Sequence, residues 1–465
     1  MGNQEPLLAG VEKNDTPTAK ERRKVLAASF IGTAIEWYDF FLYGAAAALI
    51  FGPQFFPTTD PLTGTLAAFA TFAVGFIARP IGGVLMGHFG DRVGRKSMLL
   101  ISMFLMGGAT VAIGALPNYA AIGVWAPILL VTLRFLQGLG VGGEWGGAVL
   151  MAVEYAPRKS RALYGSFPQM GLPAGIILSN LVFIAVTSIF AKDVFQSWGW
   201  RLPFLMSGAL IIVALYLRLR IQESPSFKQV KHSGEVENNP LKTVITRHGM
   251  TVMLAGAVSI ASPAIGYIYS VYMLSYGTGV LGLPQPTMLW LIVLAAVVHL
   301  VTVYLGATLS DRFGQKRLFT LGAALVTLWA FPFFALINTA NPGLILLAFA
   351  VMLLAQSFMA GPQAAMIAEL FPSTVRYSGA SIAYQIGSIL GGGFAPLIAT
   401  SLYATYKSSN PIALYLLILG ALSLGSILLL KVGRYNASYE ALQQPDGSQA
   451  NRISGNRAVE ENRRS

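Results

Sequence analysis

The sequence predicts an all-α polytopic membrane protein of about twelve transmembrane helices, set as two pseudo-symmetric bundles of six. Three observations predict it. Charged residues are scarce, long apolar runs recur along the chain, and one pattern of charged residues occurs twice at a nearly constant offset.

Of 465 residues, 54% are hydrophobic and 11% are charged, whereas an ordinary soluble chain carries about 25% charged residues. A water-facing surface is built from charges, so most of this surface faces lipid. There is no cysteine, which excludes a disulfide framework, a thiolate metal site and a cysteine nucleophile. Nothing in the residue set calls for a cofactor or a metal. The first 24 residues are polar, and the apolar run after them is longer than that of a cleavable leader, so it reads as a retained anchor.

A bilayer core of about 30 Å takes roughly 20 apolar helical residues. Spans of that kind lie near 25–52, 62–89, 97–116, 122–152, 163–190, 201–221, 250–276, 286–309, 317–337, 342–368, 377–405 and 411–432. Pro80, Pro168, Pro173 and Pro396 interrupt them, as membrane helices allow when neighbours satisfy the freed backbone groups. The expected organisation is a polar segment 1–24, a first bundle 25–221, a polar linker 222–249, a second bundle 250–432 and a polar tail 433–465. With both termini cytoplasmic, 27 of the 32 Lys and Arg residues fall on that side, two (Lys192, Lys407) fall outside, and Arg79, Arg134 and Arg201 lie in or at the edge of spans. Such asymmetry is a topology signal. It accounts for the net charge of +12 without a nucleic-acid partner.

The repeat comes next. Gly87-His88-Phe89-Gly90-Asp91-Arg92-Val93-Gly94-Arg95-Lys96 follows the second span, and Ala307-Thr308-Leu309-Ser310-Asp311-Arg312-Phe313-Gly314-Gln315-Lys316 follows the eighth, with Asp311 lying 220 residues after Asp91. Glu154-Tyr155-Ala156-Pro157 recurs as Glu369-Leu370-Phe371-Pro372, 215 residues later. Parallel six-helix repeats with a substrate held between them are an established transporter plan. The first pattern predicts a tight loop in which Gly90 and Gly94 allow the reversal, Asp91 faces a helix N-terminus, and Arg92, Arg95 and Lys96 hold the cytoplasmic face. With Gly87, Asp311 and Arg312, these form the expected gating loops.

Ionisable groups inside spans cost a few kcal/mol or more and read as functional by default. Here they are Glu36, Asp39, Arg79, Arg134, Glu144 and His299. Glu36 and Asp39 share a helix face, with Tyr43 one turn on. A like-charged neighbour and a low dielectric both disfavour an ionised carboxylate, so one of the pair can change protonation as the cavity changes sides. Arg134 stays charged even when buried and can exchange among Asp39, Glu144 and a substrate carboxylate. Proton coupling is thus expected from Asp39, Glu36, Arg134 and Glu144. Arg79, twelve residues before Asp91 and so about 18 Å along a helix, is placed to meet an anionic substrate. Tyr43, Gln137, His299, Gln356, Gln363 and Tyr384 are further candidates for the path. A fixed ion-pair network that stabilises helix packing is the competing reading for each of these charges.

Gly87 to Lys96 resembles the signature loop of the major facilitator superfamily, and Arg134-Phe135-Leu136-Gln137-Gly138 resembles its second motif. Glu36-Trp37-Tyr38-Asp39-Phe40, Ala78-Arg79-Pro80, Gly143-Glu144-Trp145-Gly146-Gly147 and the stretch from Glu369 to Gly379 are similar to its metabolite:proton symporter branch. The resemblance spans about 25–432. It implies the major facilitator fold and transport of a small carboxylate such as shikimate, α-ketoglutarate or citrate, or of proline or betaine, across a bacterial inner membrane by a monomer. The second signature loop departs from the first, with Ala307 in place of Gly87 and Gln315 in place of Arg95. The tail lacks the heptads of osmosensing relatives.

No phosphate-binding Gly-rich loop occurs, and the four histidines are scattered, so ATP-driven transport and enzyme chemistry lack their residues. Two directions of transport stay open: proton-coupled uptake of an anionic or zwitterionic metabolite, or proton-driven efflux of an anionic drug or antibiotic. A transporter-like receptor is the remote alternative.

Overall fold

The structure, a computed structural model, describes residues 19–57, 60–93, 95–142, 152–153, 156–219, 240–372 and 375–432. Among the described residues every regular element is helical. The first bundle comprises α1 (Ala19–Ala46, continued by a π turn Ala47–Phe51 and Gly52–Phe55), α2 (Pro61–Val93), α3 (Arg95–Ala115), α4 (Trp125–Val141), α5 (Arg161–Ile189) and α6 (Arg201–Leu219). In the second, α7 runs in pieces over Pro240–Val258, Ala261–Tyr267, a π turn Ile268–Tyr272 and Met273–Gly279. It is followed by α8 (Gln285–Phe313), α9 (Gln315–Ile337), α10 (Pro342–Ala368), α11 (Arg376–Gly387, a π turn Ser388–Gly393, Ala395–Tyr406) and α12 (Asn410–Leu429). Nine of these are long and apolar enough to cross a membrane, and three shorter apolar helices lie at Ile101–Ala115, Trp125–Val141 and Arg201–Val213.

The packing repeats as the sequence does. In the first bundle α1 packs on α5, α2 on α4, and α3 on α4 and α6; in the second α7 packs on α11, α8 on α10, and α9 on α10 and α12. Adding six to each helix number converts one set of contacts into the other. Between bundles, α5 meets α8 and α10, α2 meets α11, and α1 meets α7. Large apolar side chains such as Leu328, Met250 and Ile189 are turned outward, as lipid contact requires. Tyr119, Trp125, Trp198 and Tyr406 are exposed at helix ends, where aromatic residues anchor a protein at the membrane interface.

The tight loop expected over Gly87–Lys96 is shorter still: α2 stays helical through Val93, past Gly90, and α3 opens at Arg95. Its second copy behaves alike, with α8 helical to Phe313 and Gly314 alone, at φ +97°, making the turn into α9. One glycine at positive φ suffices to reverse the chain, so the residues before it keep their helical hydrogen bonds. Within the expected linker 222–249, α7 begins at Pro240. Hydropathy marks where lipid ends, whereas a helix continues into water until a capping residue or a proline at its first turn sets the boundary. In the same way α1 is already helical at Ala19, ahead of the apolar run near 25.

Candidate functional site

The centre of the first bundle is built on a close crossing of α2 and α4. A Cβ at Gly138 would strike the carbonyl oxygen of Gly75, and a Cβ at Gly75 would lie 2.6 Å from Arg134 Nε. The two glycines thus bring the helices together and leave the space that Arg134 occupies. Arg134 is fully buried. Its guanidinium carbon lies 3.9 Å from the Phe40 ring centre, 4.1 Å from Tyr43 and 4.8 Å from Phe72. Arg79, also buried, lies 4.2 Å from the same Phe40 ring, 4.4 Å from Phe76 and 5.6 Å from Trp37, and donates to Ser388 Oγ of α11 at 3.4 Å. Two cations therefore share one aromatic side chain.

Among the described residues neither guanidinium forms an ion pair, and Arg79 Nε and Arg134 Nε and Nη2 carry no hydrogen bond. Cation–π contact contributes about 0.5–2 kcal/mol, while taking a charge out of water costs several kcal/mol. The rings offset only part of the cost of burial, so the pair is a strongly electropositive centre.

Asp39 is buried on α1 and does not meet Arg134. It faces the hydroxyls of Thr110 and Ser207 and lies near Glu36, and neither of its oxygens has a hydrogen-bond partner. Arg134 instead donates to Gln137 Oε1 at 2.5 Å, and Gln137 Nε2 donates to Thr110 Oγ1 at 2.8 Å. Gln137 and Thr110 thus stand between the guanidinium and the carboxylate, bonded to the former and not to the latter. Tyr43 shares a hydrogen bond of 2.6 Å with Thr71. Glu144 lies outside the described residues.

A cavity of about 30 Å³ lies between the bundles, bordered by Trp37 and Gln169 on one side and by Ser262, Tyr267, His299, Gln356, Gln363 and Tyr384 on the other. Small-molecule pockets usually enclose about 300–1,000 Å³, so this arrangement is closed and the bundles must part to seat a metabolite. Tyr267 explains much of the closure. From α7 it packs against Trp37, Phe40, Phe41, Phe72 and Phe76 of the first bundle, at ring separations of 5.2–6.4 Å.

At the helix ends near Gly314, Asp311 accepts hydrogen bonds from the backbone N–H groups of Ala162 and Leu163, both 2.9 Å, in the first turn of α5. An anion is favoured there by the helix dipole. Beside it Arg161 pairs with Glu369 at 3.7 Å. Both contacts join one bundle to the other. Arg312 is exposed and lies against Phe313. Gly94, the surroundings of Gly87 and the side chains of Asp91, Arg92, Arg95 and Lys96 lie outside what the structure describes.

The structure brings together Arg79, Arg134, Gln137 and Tyr43 in one centre, and His299, Gln356, Gln363 and Tyr384 in the cavity. Sequence reasoning missed Thr110, Ser207, Ser262 and Ser388. A hydroxyl in an apolar span commonly bonds back to its own helix, as Thr110 also does to the Met106 carbonyl, so spacing alone does not reveal a cross-helix role.

Two six-helix bundles enclosing a buried polar centre, with closing contacts at their charged ends, define a membrane transporter of the alternating-access class. The chain belongs to the major facilitator superfamily, whose family model matches residues 29–396 and 250–453. It is 44% identical, over 92% of this chain and 98% of the relative, to the inner membrane metabolite transport protein YhjE of Escherichia coli K12. It is 42% identical, over 90% and 96%, to the shikimate transporter of the same organism. The proton:xylose symporter XylE shares the fold, with a TM-score of 0.71 at 19% identity over 92% of this chain and 100% of that one.

Proposed function

We propose that this protein carries a small organic anion across the membrane together with protons, by alternating access between the two bundles. The observation that carries the reading is the pair of buried guanidinium groups, Arg79 and Arg134, without an ion-pair partner among the described residues. A substrate carboxylate supplies the missing counter-charge, and it has most to gain where water is excluded. Asp39, with Glu36 beside it, is the proton-responsive group. Its charge is felt at Arg134 through Thr110 and Gln137, so proton and substrate occupancy bias the same equilibrium between outward-facing and inward-facing forms.

Asp311 on the α5 N-terminus and the Arg161–Glu369 pair close the side on which both termini lie, which we assign to the cytoplasm from the Lys and Arg asymmetry. The organisation 25–221 and 250–432, with Pro240 to residue 249 now read as the start of α7, is the two-bundle unit that rocks. Glu144 and the Asp91 loop are assigned coupling and gating roles on sequence alone. The likeness to the shikimate transporter supports a carboxylate as the cargo.

The test is flux in proteoliposomes under an imposed pH step, with a panel of labelled carboxylates. Accumulation on the alkaline side is expected. Accumulation on the acidic side instead identifies an exporter, and no movement of any carboxylate in either direction refutes the proposal.

A further inference from the structure

The cavity wall supplied by the second bundle is rich in hydrogen-bonding atoms of both polarities and carries no formal charge. Gln356 donates from Nε2 to the Ser262 carbonyl at 2.7 Å and leaves Oε1 without a partner. Gln363 leaves Nε2 unpartnered, and Tyr267 leaves its hydroxyl. His299 engages the Tyr269 hydroxyl through Nδ1 at 3.3 Å and leaves Nε2. All four residues border the one cavity, and none is more than 2% exposed. An unsatisfied buried donor or acceptor costs about 1–3 kcal/mol. Four of them converging on one wall therefore form a surface whose complement is a ligand.

That complement must donate to an amide oxygen and accept from an amide N–H, on residues about two turns apart along α10. A hydroxyl group does both. A quaternary ammonium does neither, and a keto oxygen only accepts. Of the aromatic side chains at the cavity, Trp37 is already engaged by Arg79. Trp37 and Tyr267 border the cavity, and the ring of Trp37 also touches the Arg79 guanidinium. A molecule that widens the cavity past these two rings reaches the cationic centre.

We infer that Gln356, Gln363 and His299 form a hydroxyl-recognising subsite, so that the substrate is a hydroxylated carboxylate held by its anionic end at Arg79 and Arg134. This rests on the reading of those arginines as carboxylate partners.

The experiment measures thermal stabilisation of the purified full chain by matched pairs: quinate with cyclohexanecarboxylate, gluconate with hexanoate, malate with succinate, and glycine betaine as the zwitterion. At least one hydroxylated member is expected to bind about tenfold or more tightly than its deoxy partner, the worth of one to two hydrogen bonds, and glycine betaine is expected to give no shift. Gln363→Leu and Gln356→Asn are expected to reduce that ratio severalfold. Because the ratio is taken within one preparation, partial unfolding of a variant does not alter it. Equal affinity within every pair that binds overturns the inference and leaves the carboxylate reading standing. An unchanged ratio in both variants also overturns it. Stabilisation by betaine alone, or by none of the compounds, removes the carboxylate reading and this inference with it.

Discussion

The two bundles repeat one contact plan, yet they carry opposite kinds of chemistry. The first holds Glu36, Asp39, Arg79 and Arg134 among aromatic rings, and the second presents His299, Gln356, Gln363 and Ser262, neutral and able to hydrogen-bond. The repeat has conserved what packing needs. In both bundles an equivalent pair of helices approaches through glycine: Gly138 against Gly75 in α4 and α2, and Gly361 against the Ala307 backbone in α10 and α8. It has not conserved the residues that face the cleft, where packing imposes little. On the function proposed above, charge compensation is confined to one side of the substrate and geometric selection to the other, so that a proton resets the first without disturbing the second.

Substitutions across the two bundles sharpen or break that division. The largest effect is expected at Arg134. Arg134→Leu should lower carboxylate uptake into proteoliposomes roughly 100-fold, the scale of one or two charge-assisted hydrogen bonds. An equal loss in Gln356→Leu for a carboxylate without hydroxyls would erase the distinction between the bundles. Asp39→Asn should abolish accumulation driven by a pH step and spare exchange of substrate for substrate. Full accumulation in that variant would remove Asp39 from the coupling.

Glycine substitutions test the shared plan instead. Gly138→Ala and Gly361→Ala should each cost about 1–3 kcal/mol, the usual penalty for overpacking, and thermal melting should show the two falling together. A large loss in one bundle alone would mean that the crossings are not equivalent. Thr110→Val should lower the ratio of proton-driven uptake to exchange by about tenfold or less, as expected for one hydrogen bond. An unchanged ratio would mean that Gln137 and Thr110 do not connect Asp39 to Arg134.

The smallest effect is expected outside the membrane, at Asp60 before α2. Its carboxylate accepts from the Thr63 hydroxyl at 2.7 Å and from the N–H groups of Leu62 and Thr63, and these bonds, the Thr63 hydroxyl first, hold its pKa below the usual value. A lowered folded-state pKa contributes stability above the unfolded value, about 3.9, and that stability is lost as pH falls through the folded value. Asp60→Ala should therefore melt slightly below the unmodified protein at neutral pH, and the gap should shrink in strong acid. A gap independent of pH would assign it to lost packing.

Much of this was legible in the sequence because lipid is an undemanding reader. Apolar length, Lys and Arg placement and the recurrence of Asp91 at Asp311 led to a polytopic fold in two halves without any knowledge of contacts. Arg79 and Arg134 were marked for the same reason: charge at that depth is costly wherever it points. The partners were not legible. Arg134 was expected on Asp39 and instead bonds Gln137, because the order of residues along α1 and α4 does not specify how the two helices are rotated about their axes. Tyr267 was one of four tyrosines in α7 with nothing in its spacing to single it out, and only the meeting of α7 with α1 and α2 sets it among five rings.

By itself, then, the sequence determined the solvent each segment meets and which side chains cannot be buried without consequence. These follow from transfer energies that act residue by residue. Which buried groups touch, which hydroxyls join them, and which amide atoms are left facing a cavity were decided by the tertiary structure. Such contacts depend on helix rotation and separation to within an ångström or so, and the glycines at 75 and 138 fix them only when both helices are in place.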